Sequence, residues 1–195
     1  MLQTAPAPVR PTQPARPRKE YHLASRAFHP ADSVVRVGSI EIGGPGLAVM
    51  AGPCAVESRA QIMASARSVA AAGIPILRAG AYKPRTSPYS FRGMLREGLE
   101  LLSEAREVTG CAIVTEVMSE SDVVEVAAFA DILQIGSRTM HAFRLLEAVA
   151  DAGKPVLLKR GFQASIKEWL LAAEYILNRG NPNVILCERG IRGFD

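Results

Sequence analysis

AIVTEVMSESDVVEVAAFADILQIGSRTMHAFRLLEAVADAGKPVLLKRG, residues Ala112–Gly161, holds three short apolar runs separated by two amphipathic segments. The runs are Ala112 to Glu116, Ile132 to Ile135 and Pro155 to Lys159. Each is four or five residues long and apolar at successive positions, so each predicts a strand buried on both faces, as in a parallel sheet covered by helices. The same unit recurs on either side. Leu47 to Ala51 and Pro75 to Arg78 precede it and Val184 to Cys187 follows, which makes six predicted strands.

Helix starts are marked between them. Ser58 is followed three residues on by Gln61, and Ser165 by Glu168, each a capping-box pattern. Across Ile166 to Leu177, Trp169, Leu170, Ala173 and Ile176 form one apolar face. Repeating βα units give either a doubly wound sheet or a (βα)8 barrel. The polar residues decide between them: every run ends, on its C-terminal side, in a small polar or charged cluster. These are Gly52-Pro53-Cys54, Arg78-Ala79-Gly80, Thr115-Glu116, Gly136-Ser137-Arg138, Lys159-Arg160-Gly161 and Glu188-Arg189-Gly190. A barrel collects its site from many strand ends, whereas an open sheet uses chiefly one switch point. The expected fold is therefore α/β, of the (βα)8 TIM-barrel type, with about six βα units in the sequence.

Before the first run, Val34 to Gly38 and Ile40 to Gly44 read as a small hairpin around a tight turn. The expected organisation is a disordered Pro/Arg-rich tail over 1–20, an extension with the hairpin over 21–46, and the barrel domain over 47–195. The 195 residues, 48% of them hydrophobic, suffice for one domain with a core. No apolar run approaches the roughly 20 residues of a membrane span, so no membrane association is expected. Net charge is +4, but Arg10, Arg16, Arg18 and Lys19 face only Glu20 in the tail, so most of the excess lies there. A nucleic-acid surface on the folded part is not expected. Cys54, Cys111 and Cys187 are an odd, widely spaced set that argues against disulfides and for the cytoplasm; Cys111 and Cys187 read as buried thiols.

Bringing the strand ends into one mouth gathers Arg78, Arg138, Lys159 and Arg189, with Lys83 and Arg85 from the loop after the second strand. So many cations in one cavity repel one another unless anions neutralise them, which predicts more than one bound phosphate or carboxylate. In the loop Lys83-Pro84-Arg85-Thr86-Ser87-Pro88, two prolines fix the shape while Arg85, Thr86 and Ser87 offer a guanidinium fork and two hydroxyls to a phosphate monoester.

Gly52-Pro53-Cys54-Ala55-Val56-Glu57-Ser58, Arg78-Ala79-Gly80-Ala81-Tyr82-Lys83-Pro84-Arg85-Thr86-Ser87-Pro88-Tyr89, Leu157 to Phe162 and Ile185 to Arg192 resemble the signature segments of the 3-deoxy-D-arabino-heptulosonate 7-phosphate (DAHP) synthases, most of all the Bacillus- and Thermotoga-like subgroup. The sister enzyme that makes 3-deoxy-D-manno-octulosonate 8-phosphate (KDO8P) usually carries Lys-Ala-Asn-Arg where this chain has Lys83-Pro84-Arg85-Thr86.

The resemblance implies the first step of the shikimate pathway, in which carbon 3 of phosphoenolpyruvate adds to the aldehyde of erythrose 4-phosphate, water attacks carbon 2 and phosphate leaves. It implies that Arg78, Lys83, Arg138, Lys159 and Arg189 hold phosphoenolpyruvate, that Arg85, Thr86 and Ser87 hold the sugar phosphate, that Lys83 and Glu116 stand at the reacting centre, and that Cys54 is a ligand of a divalent metal ion. The family's remaining ligands, a histidine, a glutamate and an aspartate, come from two further strands with no counterpart here. The expectations that follow are a C-terminally incomplete barrel with exposed sheet edges, self-association as a homo-oligomer, and little or no turnover by this chain alone. The rival readings are a non-catalytic or partner-dependent binder of phosphorylated metabolites, and a KDO8P synthase-like enzyme.

Overall fold

Apolar runs paired to runs of the same kind give one parallel sheet, and helices between them cover its outer side. The computed structural model describes residues 21–193; the tail expected over 1–20 lies outside them. The elements are β1 (Val35–Val37), β2 (Ile40–Ile42), β3 (Met50–Ala51), α1 (Arg59–Ala71), β4 (Ile76–Arg78), α2 (Leu95–Thr109), β5 (Ala112–Glu116), α3 (Val123–Phe129) after a single 3-10 turn, β6 (Ile132–Ile135), α4 (Phe143–Asp151), β7 (Val156–Lys159), α5 (Ile166–Asn178) and β8 (Val184–Cys187). Strands β3 to β8 form a six-stranded sheet in sequential order, each pair parallel, and β1 pairs with β2 as an antiparallel hairpin. Sequential parallel order with a helix in every crossover from β3 onward is an arc of a (βα)8-type barrel.

Register sorts the strand residues onto two faces. Ile76, Val114, Ile132 and Leu157 pack together on the inner side with Met50, Ala112 and Ile185 around them, and the hairpin lays Val37, Ile40 and Ile42 against this layer. Leu77, Ile113, Leu133, Ile135 and Leu158 point the other way, into a larger core shared with the helices. All of β6 is buried, so the two-faced burial expected of a parallel sheet holds at the centre. It does not hold at the edges: β3 and β8 each have one neighbour among the described residues, and their side chains are mostly half-exposed. Cys187, on β8, is accordingly half-buried rather than the buried thiol expected, while Cys111 is buried.

The run expected from Leu47 contributes only Met50 and Ala51 to the sheet, because pairing to the short β4 begins at Met50 opposite Ile76. Leu47, just after the Gly43-Gly44-Pro45-Gly46 turn, is 91% exposed. Pro75 and Pro155 stand one residue outside their strands for want of an N–H, yet their carbonyls still accept ladder bonds from Ala112 and Leu133, both at 2.9 Å.

Ser165 caps α5 reciprocally with Glu168: its hydroxyl accepts from the Glu168 N–H at 3.2 Å, and its own N–H donates to Glu168 Oε2 at 2.7 Å. The box expected at Ser58 is half formed. Ser58 Oγ accepts from the Gln61 N–H at 3.1 Å, but the Gln61 amide turns to the Glu57 N–H and the Ala55 carbonyl. Buried Trp169 donates its indole N–H to the Leu158 carbonyl at 3.1 Å and so ties α5 to the end of β7. No helix among the described residues is long and apolar enough to cross a membrane.

Candidate active site

Strand parity decides which end residues face the mouth of the arc. Glu116 pairs with Gln134 across β5 and β6, and Leu158 and Lys159 pair with Leu186 and Cys187 across β7 and β8. The last inward positions are therefore polar, Arg78, Glu116, Gln134 and Lys159, directly above the apolar inner layer. Arg78, Glu116 and Lys159 form the floor of a cavity of about 520 Å³ whose lining also includes Cys54, Lys83, Arg85, Thr86, Ser87, Arg138 and Arg189. Every residue to which the family resemblance assigns a role lines this one cavity. Thr115, beside Glu116, has the opposite parity and instead accepts the Ala81 N–H on its hydroxyl at 3.2 Å.

The cavity contains six cationic side chains and one carboxylate, that of Glu116. Glu116 is 6% exposed, and its Oε2 accepts from Gln134 Nε2 at 2.9 Å. The Gln134 carbonyl oxygen in turn accepts from Arg78 Nε at 3.4 Å, so the amide links buried acid to cation. Burial pushes the Glu116 carboxyl above its ordinary range, opposed by Lys83, Lys159 and Arg78. Gly136 sits against the carboxylate: a Cβ there would lie 2.0 Å from Glu116 Oε1.

Lys159 is pushed below the ordinary lysine range, first by burial and then by the positive charge of Arg78. The charged form is thus the costly one in the fold. Stability linked to this group is present above the unfolded lysine pKa, about 10.4, and is lost as pH falls through the lowered folded value. Anion binding follows the opposite trend, since an anion needs the ammonium. Calorimetric titration of inorganic phosphate is expected to show affinity falling as pH rises through a value below about 10.4, and Lys159→Arg is expected to flatten that fall. An identical pH profile for the variant would assign the loss to another group.

Lys83 reaches back from its loop to the end of β3: Nζ donates to the Cys54 carbonyl at 2.8 Å and contacts Cys54 Sγ at 3.1 Å. The ammonium hydrogen bond holds the thiol below its usual range, against the contrary effect of burial. Arg85 Nε donates to the Phe91 carbonyl at 3.2 Å within the loop, and Arg138 Nη2 reaches Thr86 Oγ1 at 3.3 Å, so the loop leans on the end of β6. Two further residues were not singled out in the sequence. Gln134 is the one amide inside an otherwise apolar strand, a signal that sequence could have supplied, because a buried polar group needs partners. Phe162 carried no such signal; the guanidinium carbons of Arg138 and Arg189 both lie over its ring.

A divalent metal needs several donors. Among the described residues no group of three or more His, Cys, Asp or Glu side chains is placed to hold one. Cys54 is a single thiol with an ammonium already beside it, which does not fit a complete coordination set.

The profile described as the DAHP synthetase I family matches residues 25–195. This chain belongs to that family. It is 52% identical over 177 residues to a phospho-2-dehydro-3-deoxyheptonate aldolase of Thermotoga maritima, covering 91% of this chain and 52% of that protein. The crystal structure of a Thermotoga maritima DAHP synthase superposes with a TM-score of 0.88 at 51% identity, over 92% of this chain and 53% of that one. A 2-dehydro-3-deoxyphosphooctonate aldolase of Acidithiobacillus ferrooxidans is 36% identical over 149 residues, covering 73% of this chain and 53% of that protein. The chain spans about half the length of the curated relatives it matches.

Proposed function

We propose that this chain forms the phosphoenolpyruvate and erythrose 4-phosphate cradle of a DAHP synthase. The observation that carries the reading is the convergence of six cations, from the ends of β4, β6, β7 and β8 and from the loop after β4, on one cavity that also holds the hydroxyls of Thr86 and Ser87. In this reading Arg78, Lys83, Arg138, Lys159 and Arg189 hold the phosphate and carboxylate of phosphoenolpyruvate, and Arg85, Thr86 and Ser87 grip the sugar phosphate. Holding both anions in register brings carbon 3 to the aldehyde. The cationic wall stabilises charge on the departing phosphate, an effect strengthened where water is excluded. Glu116, the cavity's one carboxylate, stands among these cations at the reacting centre, its pKa raised by burial and opposed by Lys83, Lys159 and Arg78. Cys54 is one donor toward the metal that the family resemblance implies.

Thermal melts of the 195-residue chain with each ligand test this. Phosphoenolpyruvate at about 100 times its Kd is expected to add about 2.7 kcal/mol, which is about 8 °C for a domain of this size. Erythrose 4-phosphate, added after phosphoenolpyruvate, is expected to stabilise more than arabinose 5-phosphate does. The reverse order would favour the octulosonate reading, and no shift with phosphoenolpyruvate would overturn the proposal. Stabilisation without release of phosphate would identify a binding module.

A further inference from the structure

Phe162 follows the Lys159-Arg160-Gly161 turn after β7, where the ends of β6, β7 and β8 meet. The guanidinium carbon of Arg138 lies 5.2 Å from its ring centroid and that of Arg189 4.6 Å. Its carbonyl accepts the Arg192 N–H at 2.7 Å, tying the segment after β8 to the same point. Ring and both arginines line the cavity.

Two like charges brought to one ring repel, and the negative face of the ring offsets part of that repulsion. A ring beneath a guanidinium takes none of its N–H donors, which stay free to meet an oxyanion two at a time. Those donors are little used within the protein. Arg138 makes one 3.3 Å contact to Thr86, and neither arginine forms an ion pair among the described residues. The acid best placed to neutralise Arg189 is its neighbour Glu188, and it is held elsewhere. Its Oε2 accepts from Arg160 Nη1 at 2.7 Å, and its Oε1 accepts the N–H groups of Arg189 and Gly190, each at 2.8 Å.

We propose that Phe162 is a positioning residue whose ring holds Arg138 and Arg189 as a paired fork for one tetrahedral dianion, the phosphate group of the phosphoenolpyruvate-class ligand. The inference rests on the anion-cradle reading above and adds to it a residue that touches no ligand itself. The ring acts on the phosphate end of the ligand and leaves the carboxylate end to other cations.

Calorimetric titrations of the full chain with inorganic phosphate, phosphoenolpyruvate and pyruvate test it. Phe162→Leu keeps an apolar side chain and removes the π face; it is expected to weaken phosphate and phosphoenolpyruvate about tenfold, while Phe162→Tyr stays within about twofold. Pyruvate, which has the carboxylate and no phosphate, is expected to bind Phe162→Leu and the native chain alike. Arg189→Lys keeps the charge without a flat face and is expected to lose as much, with Phe162→Leu adding little on top of it.

Native affinity in Phe162→Leu, an equal loss in Phe162→Tyr, or a matching loss for pyruvate would overturn the proposal and leave the cradle standing. If Phe162→Leu does not fold by circular dichroism, Arg189→Lys on the native ring decides, and unchanged phosphate affinity overturns the proposal. A native chain that binds neither phosphate nor phosphoenolpyruvate would instead refute the cradle itself.

Discussion

Gly136→Ala is expected to cost about 2 kcal/mol of stability and about a hundredfold in phosphate affinity, the latter being about 2.8 kcal/mol. The added methyl would stand 2.0 Å from Glu116 Oε1 and 3.0 Å from its Cδ. The carboxylate is buried and bonded to Gln134, so its one open direction is toward the cavity. There it would give up the Gln134 bond and put a negative charge among the cations that await an anion. Removing the obstacle should remove the cost: on a Glu116→Ala background, Gly136→Ala is expected to be nearly neutral, although Glu116→Ala alone costs about 1–3 kcal/mol by leaving the Gln134 amide unpaired. Urea melts of the four proteins, with phosphate calorimetry alongside, give the cycle. Additive costs would show that the glycine is needed for something other than room for Glu116.

Gly93→Ala acts on the loop rather than the floor, and about 3 kcal/mol is expected, from roughly equal parts of backbone strain and overlap. Gly93 has φ +95°, a region closed to most side chains, and its Cβ would lie 2.0 Å from the carbonyl oxygen of buried Ala81. That carbonyl already accepts the Leu95 N–H at 3.1 Å, and the Lys83 N–H donates to the Arg92 carbonyl at 2.9 Å. The two bonds close the base of the loop that carries Arg85, Thr86 and Ser87. A displaced base should lower the melting temperature by about 10 °C and speed tryptic cleavage after Arg85 and Arg92 several-fold. A melting temperature within about 2 °C of native would mean that the chain crosses Ala81 with more room than this geometry gives.

Much of the site was legible because burial and chemistry are written locally. Strands β5, β6 and β8 fall where the apolar runs were read, and the Ser165 cap is complete. Cys54, Arg78, Lys83, Glu116, Arg138, Lys159 and Arg189 all reach one cavity because a parallel arc brings every strand's C-terminal end to the same side. The prolines and hydroxyls from Lys83 to Pro88 were sufficient to mark the loop.

Sequence alone therefore determined the strand runs, the side of the sheet on which the polar strand ends gather and the cationic character of the cavity they line. Tertiary structure decided parity and partnership. Glu116 faces the mouth while Thr115 turns to Ala81, Glu188 is held by Arg160 away from the cavity, and Gln134 and Phe162 join residues far apart in the chain. It also left Leu47 outside the sheet and Cys187 half-exposed on an edge strand. The physical reason is range: apolar runs and caps express energies between near neighbours, whereas a one-residue shift in strand pairing reverses every side chain and depends on contacts made across the whole sheet.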